Sequence, residues 1–213
     1  AIPLFLRIIE ISPIHNPEIE RTLTLIRHGM IREGAAEKIE DKGLPFASAL
    51  ALHCFANEYV FSETDEEKEA VESLQQRVTE LLENGESIPP VYVAALGAYR
   101  PLYHFSWAGK LLDHDWPDPL KEVIVRQVSE PMEEQSLRLT IPVLTRVREG
   151  VSQAVREHYE ENPYPRWLKT NVADTAKTFG SFLQDAPLRL DLGNDEFPEN
   201  PEILIAGCGT GQQ

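Results

Sequence analysis

The sequence predicts a mainly α-helical protein, in which an array of helices is followed by the first strand and glycine loop of an α/β domain. Apolar residues recur at helical spacing, between helix start and stop signals, through about the first three quarters of the chain. No alternating apolar and polar run bounded by turn residues precedes residue 200, so no strand is expected there. We therefore predict a helical domain over residues 1–145, a helix and connecting segment over 146–200, and the start of the α/β domain over 201–213.

The first two helices are predicted from an apolar run and from a strong start signal. Residues 1–11 are mostly apolar and indicate a first core helix. Asn16 followed by Pro17 favours a helix start, because the Asn side chain can accept hydrogen bonds from free amides and proline's fixed φ suits the first turn. Gly34 is predicted to be the C-terminal cap of this second helix.

The next two helices follow from a broad apolar face and a capping box. Residues 46–59 carry apolar side chains on one wide stripe and predict a helix after the turn around Gly43. Thr64 and Glu67 have the spacing of a capping box, in which each side chain accepts from the other residue's backbone amide. Gly85 is predicted to end this fourth helix, whose buried face comprises Val71, Leu74, Val78 and Leu81.

Prolines divide the following region into short segments. Each Pro lacks an amide hydrogen and disfavours helix in the residue before it, so helices are expected to begin at prolines or end before them. The helical segments predicted on this basis are 91–99, a short piece from Pro101, 107–112, 119–128, Pro131 through Leu139, and 151–160.

Composition limits the classes of function. With 20 basic and 35 acidic residues the chain has a net charge of −15, which opposes direct binding to nucleic acid because that affinity comes mainly from Lys and Arg. No segment has the roughly 20 consecutive apolar residues that a membrane span requires. The two cysteines, Cys54 and Cys208, provide neither a disulfide framework nor metal-ligand spacing, which favours a cytoplasmic location.

Much of the negative charge is local. Residues 58–86 contain ten acidic and two basic side chains. This pattern is typical of a solvated helix face, and it also fits a docking surface for a basic partner. The acidic segment therefore leaves open that the chain is a non-catalytic helical module for protein-protein interaction rather than part of an enzyme.

The histidines do not predict a metal site. His15, His28, His53, His104, His114 and His158 include no pair three or four residues apart on one helix. Asp113, His114 and Asp115 are consecutive and would point in different directions on a helix, which indicates a surface cluster.

A glycine motif at the end of the chain carries the first chemical signal. The apolar run from Ile203 to Ala206 predicts a strand buried on both faces, and it leads directly into Gly207, Gly209 and Gly211. Alternating glycines let the backbone turn sharply and approach a ligand closely. Cys208, between two of these glycines, is interpreted as a small filler rather than a nucleophile.

A second motif lies at the end of the predicted helix 151–160. Pro163 and Pro165 favour an extended and stiff path, on which Tyr164 and Arg166 are held. An arginine offers a planar fork for a carboxylate, and an aromatic face suits an adenine ring or a sulfonium cation. Packing of the aromatic residues between the helix and the next domain is the alternative interpretation, and chemistry alone does not separate the two.

Together these motifs resemble a known family. The string Tyr159-Glu-Glu-Asn-Pro-Tyr-Pro-Arg-Trp167, followed by Ile-Ala-Gly-Cys-Gly-Thr-Gly-Gln-Gln213, is similar to bacterial class I S-adenosylmethionine-dependent methyltransferases that often carry tetratricopeptide repeats upstream. Three earlier stretches resemble the segment between those repeats and the catalytic domain: Cys54 to Tyr59, Ala98 to Pro101 and Gln127 to Pro131.

The resemblance implies a cofactor and an incomplete catalytic domain. S-adenosylmethionine would be bound by Gly207, Gly209 and Gly211, with Tyr164 and Arg166 as further contacts. A complete Rossmann-like fold needs several more strands and an acidic residue after the second strand, so this chain alone is expected to be catalytically inactive. The helical region is expected to act as a lid, a substrate platform or a contact in a homo-oligomer, and neither the methyl acceptor nor the catalytic residues are identified.

Overall fold

The computed structural model describes residues 2–11, 14, 16–38 and 41–142, together with residues 154, 175, 177, 178, 180, 181 and 202. The chain divides into two compact units, Ala1–Asn162 and Pro163–Gln213, and almost all described residues belong to the first. Throughout the described ranges the structure is helical and contains no strand, which confirms the mainly helical prediction. The predicted strand at 203–206 and the glycine loop after it lie outside the described residues, as does the helix predicted at 151–160 apart from Ala154.

Helices account for most of the described part. The α-helices of the described ranges are α1 (Ile2–Ile11), α2 (Pro17–Ala35), α3 (Leu44–Ala56), α4 (Asp65–Asn84), α5 (Pro90–Gly97), α6 (Asp118–Ile124) and α7 (Glu130–Arg138). Short 3-10 helices lie at Asp41–Gly43, Leu102–His104 and Ala108–Asp113, and a π-helical segment at Val125–Ser129 joins α6 to α7.

The core is built around α3 and α5. Every residue from Val91 to Gly97 in α5 is buried, and α3 is buried over most of its surface. A helix that is apolar on all sides must be enclosed by other helices, and α3 accordingly packs against α1, α5 and α6, while α2 packs against α4 and α5. The flanking helices α2 and α4 bury only one stripe each.

Helix α2 starts as predicted and ends later than predicted. The Asn16 carboxamide accepts hydrogen bonds from the amides of Glu18 and Ile19. Gly34 is not the C-terminal cap: it lies inside the helix, and the cap is Ala36. A Cβ at position 34 would lie 3.1 Å from Leu74 Cδ2 in α4, so the absence of a side chain allows α2 and α4 to approach closely.

Helix α3 ends three residues before the predicted position. The Tyr59 amide donates to the Cys54 carbonyl at 2.9 Å, and both Glu58 and Tyr59 have positive φ, at 52° and 55°. A side chain in this left-handed region costs on the order of 1 kcal/mol. The turn redirects the chain so that the Tyr59 hydroxyl reaches α5.

Helix α4 follows the prediction at both ends. The Thr64 side chain accepts from the Glu67 amide at 3.2 Å, and Glu67 Oε2 accepts from the Thr64 amide at 2.8 Å, which completes the capping box. Gly85 has a φ of 68° and forms the left-handed C-terminal cap. The predicted apolar stripe is buried.

The region after Pro101 differs from the prediction in two places. In place of the α-helix predicted at 107–112 the structure has a 3-10 helix, Ala108–Asp113. The helices predicted at 119–128 and from Pro131 are one continuous helical run, which widens into the π-helical segment. Pro131 lacks an amide hydrogen and its ring would clash with the carbonyl four residues earlier, which a locally wider helix relieves. Each helix of the described ranges is too short or too polar to span a membrane.

Candidate functional site

The residues predicted to bind cofactor lie outside the described part of the chain. Gly207, Gly209, Gly211, Tyr164 and Arg166 all fall there. His158 and Cys208 lie outside it too. The cofactor-binding roles of the first five residues and the filler role of Cys208 stay predictions.

A polar cluster around Gln127 is enclosed in the helical core. Gln127, in the π-helical segment, is completely buried. Its Nε2 donates to the carbonyls of Ala51 and Gly97, both at 3.0 Å. Its Oε1 accepts from the Leu102 amide at 3.3 Å and from the Tyr59 hydroxyl at 3.4 Å. One side chain therefore joins α3, α5 and the Leu102–His104 turn.

The position of Gly97 is part of this arrangement. The Tyr59 hydroxyl also donates to the Gly97 carbonyl at 3.1 Å. A Cβ on Gly97 would lie 3.2 Å from Gln127 Oε1 and 3.5 Å from the Ala51 Cβ. Glycine is thus the residue that lets the carboxamide reach both carbonyls.

A second polar cluster surrounds Arg27, which lies in the buried stripe of α2. One guanidinium nitrogen, Nη2, donates to the Ser62 carbonyl at 2.7 Å and lies 3.9 Å from Glu67 Oε1. The guanidinium carbon is 4.2 Å from the centre of the Tyr99 ring and 5.3 Å from that of Phe61. The Arg27 charge is therefore surrounded by a carbonyl, a carboxylate and two aromatic faces.

Glu67 connects the Arg27 cluster to the start of α4. Burial would raise the pKa of Glu67, but the hydrogen bonds from Tyr99 and from Thr64, together with the charge of Arg27, outweigh it and lower the pKa. The Tyr99 hydroxyl donates to Glu67 Oε1 at 2.5 Å. Burial and this bond raise the pKa of Tyr99 far above its usual value. At neutral pH, Glu67 is consequently ionised and Tyr99 is protonated.

The chemistry available in these clusters is limited. Burial raises the pKa of the Cys54 thiol to about 12, although the nearby Arg27 opposes the shift, so Cys54 is not a thiolate nucleophile at neutral pH. Most of the hydrogen-bonding groups are paired inside the core, although Arg27 Nε is buried without a partner among the described residues. Both clusters position helices rather than form a catalytic centre.

The histidines and carboxylates of the described part do not form a metal centre. Among the described residues, no group of three or more His, Cys, Asp or Glu side chains could hold a metal ion. Asp113, His114 and Asp115 are exposed, in keeping with the predicted surface cluster. His53 is buried, and its Nδ1 contacts the Ile9 carbonyl at 3.0 Å.

A shallow concavity of about 190 Å³ lies between α1 and α2. Its lining is mostly apolar and comprises Phe5, Glu18, Ile19, Thr22, Leu23 and Ile26. Unlike the two buried clusters, this concavity is open at the surface.

Comparison of the chain with protein-family models, with curated proteins and with solved structures identifies no match. Function is therefore inferred from the residues of the chain itself.

Sequence analysis missed the Arg27 cluster and the α1–α2 concavity. Arg27 occupies a position in the apolar stripe of α2, between Leu23 and Met30, and a charged residue in such a stripe was the available signal. No feature of the sequence predicts the concavity, because it depends on how α1 and α2 are placed relative to each other. The stretches ending at Tyr59 and beginning at Gln127 are recognisable in the sequence, but nothing in the sequence predicts that they meet.

Proposed function

We propose that the chain is the N-terminal portion of an S-adenosylmethionine-dependent methyltransferase. The observation that carries this proposal is the sequence from Ile203 to Gln213, an apolar run leading into three alternating glycines. The Asn-Pro-Tyr-Pro-Arg string upstream supports the same family.

Five residues are assigned to the cofactor. Gly207, Gly209 and Gly211 would let the backbone pass close to the cofactor, because no Cβ blocks the approach. Arg166 would pair with its carboxylate, and Tyr164 would contact its adenine ring or sulfonium. The bound cofactor supplies an electrophilic methyl group, and the protein contributes position and exclusion of water.

The helical unit is proposed to be a rigid platform for the catalytic domain. Support comes from the three stretches that resemble the family's linker region, because Tyr59, Gly97 and Gln127, in or next to those stretches, bond to one another in the core. If this chain and that linker region share one helical scaffold, the residues that fix the packing of the helices are those expected in both. A platform whose helices are joined by internal hydrogen bonds can hold a substrate or a lid without contributing catalytic side chains.

The test uses the protein in which this chain continues into a complete catalytic domain. We expect Gly209→Leu to weaken S-adenosylmethionine binding by on the order of 100-fold, since the new side chain would occupy the space of the ligand. Isothermal titration calorimetry measures the affinity. Gly43→Leu is the matched control, because no atom lies within 4 Å of a Cβ built at that position, and it should bind like the unsubstituted protein.

Equal affinities for the Gly209→Leu and unsubstituted proteins would contradict the assignment of the glycine loop. Failure of the complete protein to bind S-adenosylmethionine would contradict the methyltransferase proposal as a whole. Circular dichroism on each variant establishes that the helices are retained.

A non-catalytic interaction module is the second candidate. The observation that favours it is the exposed face of α4, which carries acidic side chains along most of its length. Those side chains are Asp65, Glu66, Glu69, Glu72, Glu80 and Glu83. A basic partner would bind there by charge complementarity and would be displaced by salt.

A further inference from the structure

The C-terminal end of α4 carries a chemically labile pair of residues. Asn84 is the last residue of the helix, and Gly85 is its left-handed cap. Among the seven asparagines of the sequence, Asn84 is the one that precedes a glycine. A glycine has no Cβ to shield its amide nitrogen, so this nitrogen can approach and attack the carboxamide carbon of the asparagine before it. An asparagine followed by glycine is therefore especially prone to spontaneous deamidation.

The pair is accessible to water and has free space around it. Asn84, Gly85 and Glu86 are all exposed, and a Cβ built at Gly85 would meet no atom within 4 Å. The Asn84 carboxamide donates to Glu86 Oε1 at 3.1 Å. Because this bond joins two exposed side chains, exchanging it for bonds to water costs little, and the carboxamide can then turn towards the Gly85 nitrogen.

The helix cap is the structural obstacle to the reaction. The Gly85 amide donates to the Leu81 carbonyl, and the Glu86 amide donates to the same carbonyl at 2.9 Å. While the first of these bonds is in place, the Gly85 nitrogen cannot lose its proton and attack. The reaction therefore requires the last turn of α4 to open, and its rate in the folded chain is proportional to the open fraction.

Charge favours the opening of this turn. The last turn of α4 contains no basic side chain, whereas Glu80, Glu83 and Glu86 lie in or beside it. The C-terminal end of a helix carries a partial negative charge, so carboxylates are unfavourable there and basic side chains would be stabilising. This end of α4 should accordingly open more readily than the end that is held by the capping box.

We propose that Asn84 is a site of spontaneous deamidation and that the isoaspartate formed there removes the C-terminal cap of α4. The Gly85 nitrogen bonds to Cγ of Asn84 and the bond from Cγ to Nδ2 breaks, so that ammonia leaves with the proton from the Gly85 nitrogen. The product is a cyclic succinimide. Water then opens the ring at either of its carbonyls, which gives aspartate or isoaspartate.

The isoaspartyl product changes both the backbone and the charge at the end of α4. An additional methylene group enters the main chain before Gly85, so the Gly85 and Glu86 amides are displaced from the Leu81 carbonyl. The new carboxylate adds a negative charge where the helix end is already acidic. The aspartyl product adds the same charge but leaves the backbone unchanged. The proposal does not depend on the methyltransferase assignment, because it concerns α4 alone.

Incubation of the 213-residue chain in a mildly alkaline buffer at physiological temperature tests the proposal. Peptide mapping by mass spectrometry measures conversion at each asparagine, and electron-transfer fragmentation distinguishes isoaspartate from aspartate. We expect Asn84 to be converted at least about tenfold faster than every other asparagine. Asn84→Gln is the control and should not be converted at this position, because attack on the longer side chain would need a larger ring.

A peptide of residues 80–89 provides the unfolded reference, since it is too short to form a stable helix. Its asparagine should be converted roughly 5- to 100-fold faster than Asn84 of the whole chain, because the two hydrogen bonds of the cap are absent from it. The ratio of the two rates measures the protection that the cap provides.

Hydrogen exchange tests the effect on the cap. In the isoaspartyl chain, separated from the unconverted chain by ion exchange, the Glu86 amide should exchange at least about tenfold faster than in the unconverted chain. Asn84→Asp is the matched variant, because it carries the new charge on an unchanged backbone. Its Glu86 amide should exchange at a rate close to that of the unconverted chain.

Three results would overturn the proposal. The first is the absence of conversion at Asn84 in the folded chain, whether or not the peptide is converted. The second is faster conversion at another asparagine. The third is equal exchange of the Glu86 amide in the isoaspartyl chain and in Asn84→Asp. Cofactor is absent from these experiments, so their outcome is distinct from that of the calorimetric test.

Discussion

Arg27 shows how a charged side chain is retained in an apolar core. Removing a guanidinium from water is costly unless its charge is balanced by its surroundings. Here the Ser62 carbonyl accepts a hydrogen bond, the faces of Tyr99 and Phe61 lie against the cation, and ionised Glu67 supplies the opposite charge. Four segments of the chain are joined at this one residue.

Tyr99→Phe isolates one bond in the Arg27 cluster. The substitution keeps the aromatic face against Arg27 but removes the donor to Glu67. Hydrogen bonds to charged groups contribute about 1.5–3 kcal/mol, so we expect the free energy of unfolding at neutral pH to fall by about that amount. Urea denaturation followed by circular dichroism measures it.

The pH dependence of the Tyr99→Phe effect has a definite sign. The lowered folded-state pKa of Glu67 contributes stability that is present above the unfolded-state pKa and is lost as pH falls through the folded value. Because Tyr99 helps to lower that pKa, the difference between variant and unsubstituted chain should shrink on acidification. Tyr92→Phe is the control, since the Tyr92 hydroxyl makes no hydrogen bond with the other described residues; an equal effect of both substitutions would refute the role given to Tyr99.

At the scale of one element, α2 contains two glycines in different surroundings. A Cβ at Gly29 would meet no atom within 4 Å, whereas a Cβ at Gly34 would meet Leu74 Cδ2 at 3.1 Å. Both positions have helical backbone. They therefore allow the same substitution to be compared in one helix.

We expect Gly29→Ala to stabilise the protein by about 0.5–1 kcal/mol, because alanine is the better helix former. In Gly34→Ala the stability gained from helix propensity is smaller, because position 34 is near the helix end, and the new methyl group must displace Leu74. The free energy of unfolding of Gly34→Ala should therefore be at least about 1 kcal/mol below that of Gly29→Ala. Chemical denaturation of the two variants provides the measurement. Equal stabilisation by both would show that α2 and α4 can separate without cost.

At the scale of the whole molecule, His53 joins the first helix to the centre of the core. The Ile9 carbonyl can only accept, so Nδ1 of His53 carries the proton and donates to it, while Nε2 accepts from the Asn57 carboxamide. Burial lowers the pKa of His53, although the bond to Ile9 and the charge of Glu20 oppose the shift. The folded protein therefore holds a neutral imidazole between α1 and α3.

Acidification should weaken this connection. The unfolded chain takes up the His53 proton at a higher pH than the folded protein, so stability falls as pH drops below about 6.5 towards the lowered folded-state value. His53→Asn retains a donor for Ile9 but does not titrate. Its unfolding free energy, measured by urea denaturation between about pH 7.5 and 5, should depend less on pH than that of the unsubstituted chain.

Parallel stability curves for the two proteins would contradict the assignment of a neutral buried His53. The remaining histidines are common to both proteins, so the difference between the curves reports on His53 alone. Hydrogen exchange in α1 should increase in the same pH range if the bond to Ile9 holds that helix in place.

The sequence by itself determined the helices and many of their ends. The Asn16 cap, the Thr64–Glu67 capping box and the left-handed Gly85 cap were all predictable, since a cap uses side chains within a few residues of the backbone that it satisfies. The glycine and Asn-Pro-Tyr-Pro-Arg motifs were also recognisable, and they alone support the cofactor proposal.

Tertiary structure alone decided which polar residues meet and which glycines are helical. Gln127 reaches carbonyls 76 and 30 residues away in the chain, and Tyr99 reaches Glu67 across 32 residues. Gly34 lies inside α2, at a point where a Cβ would come within 3.1 Å of Leu74 in α4, and this proximity of two helices cannot be deduced from local propensity. Local rules describe a segment and its immediate neighbours, whereas the buried clusters and the α1–α2 concavity depend on the placement of separate helices in a common core.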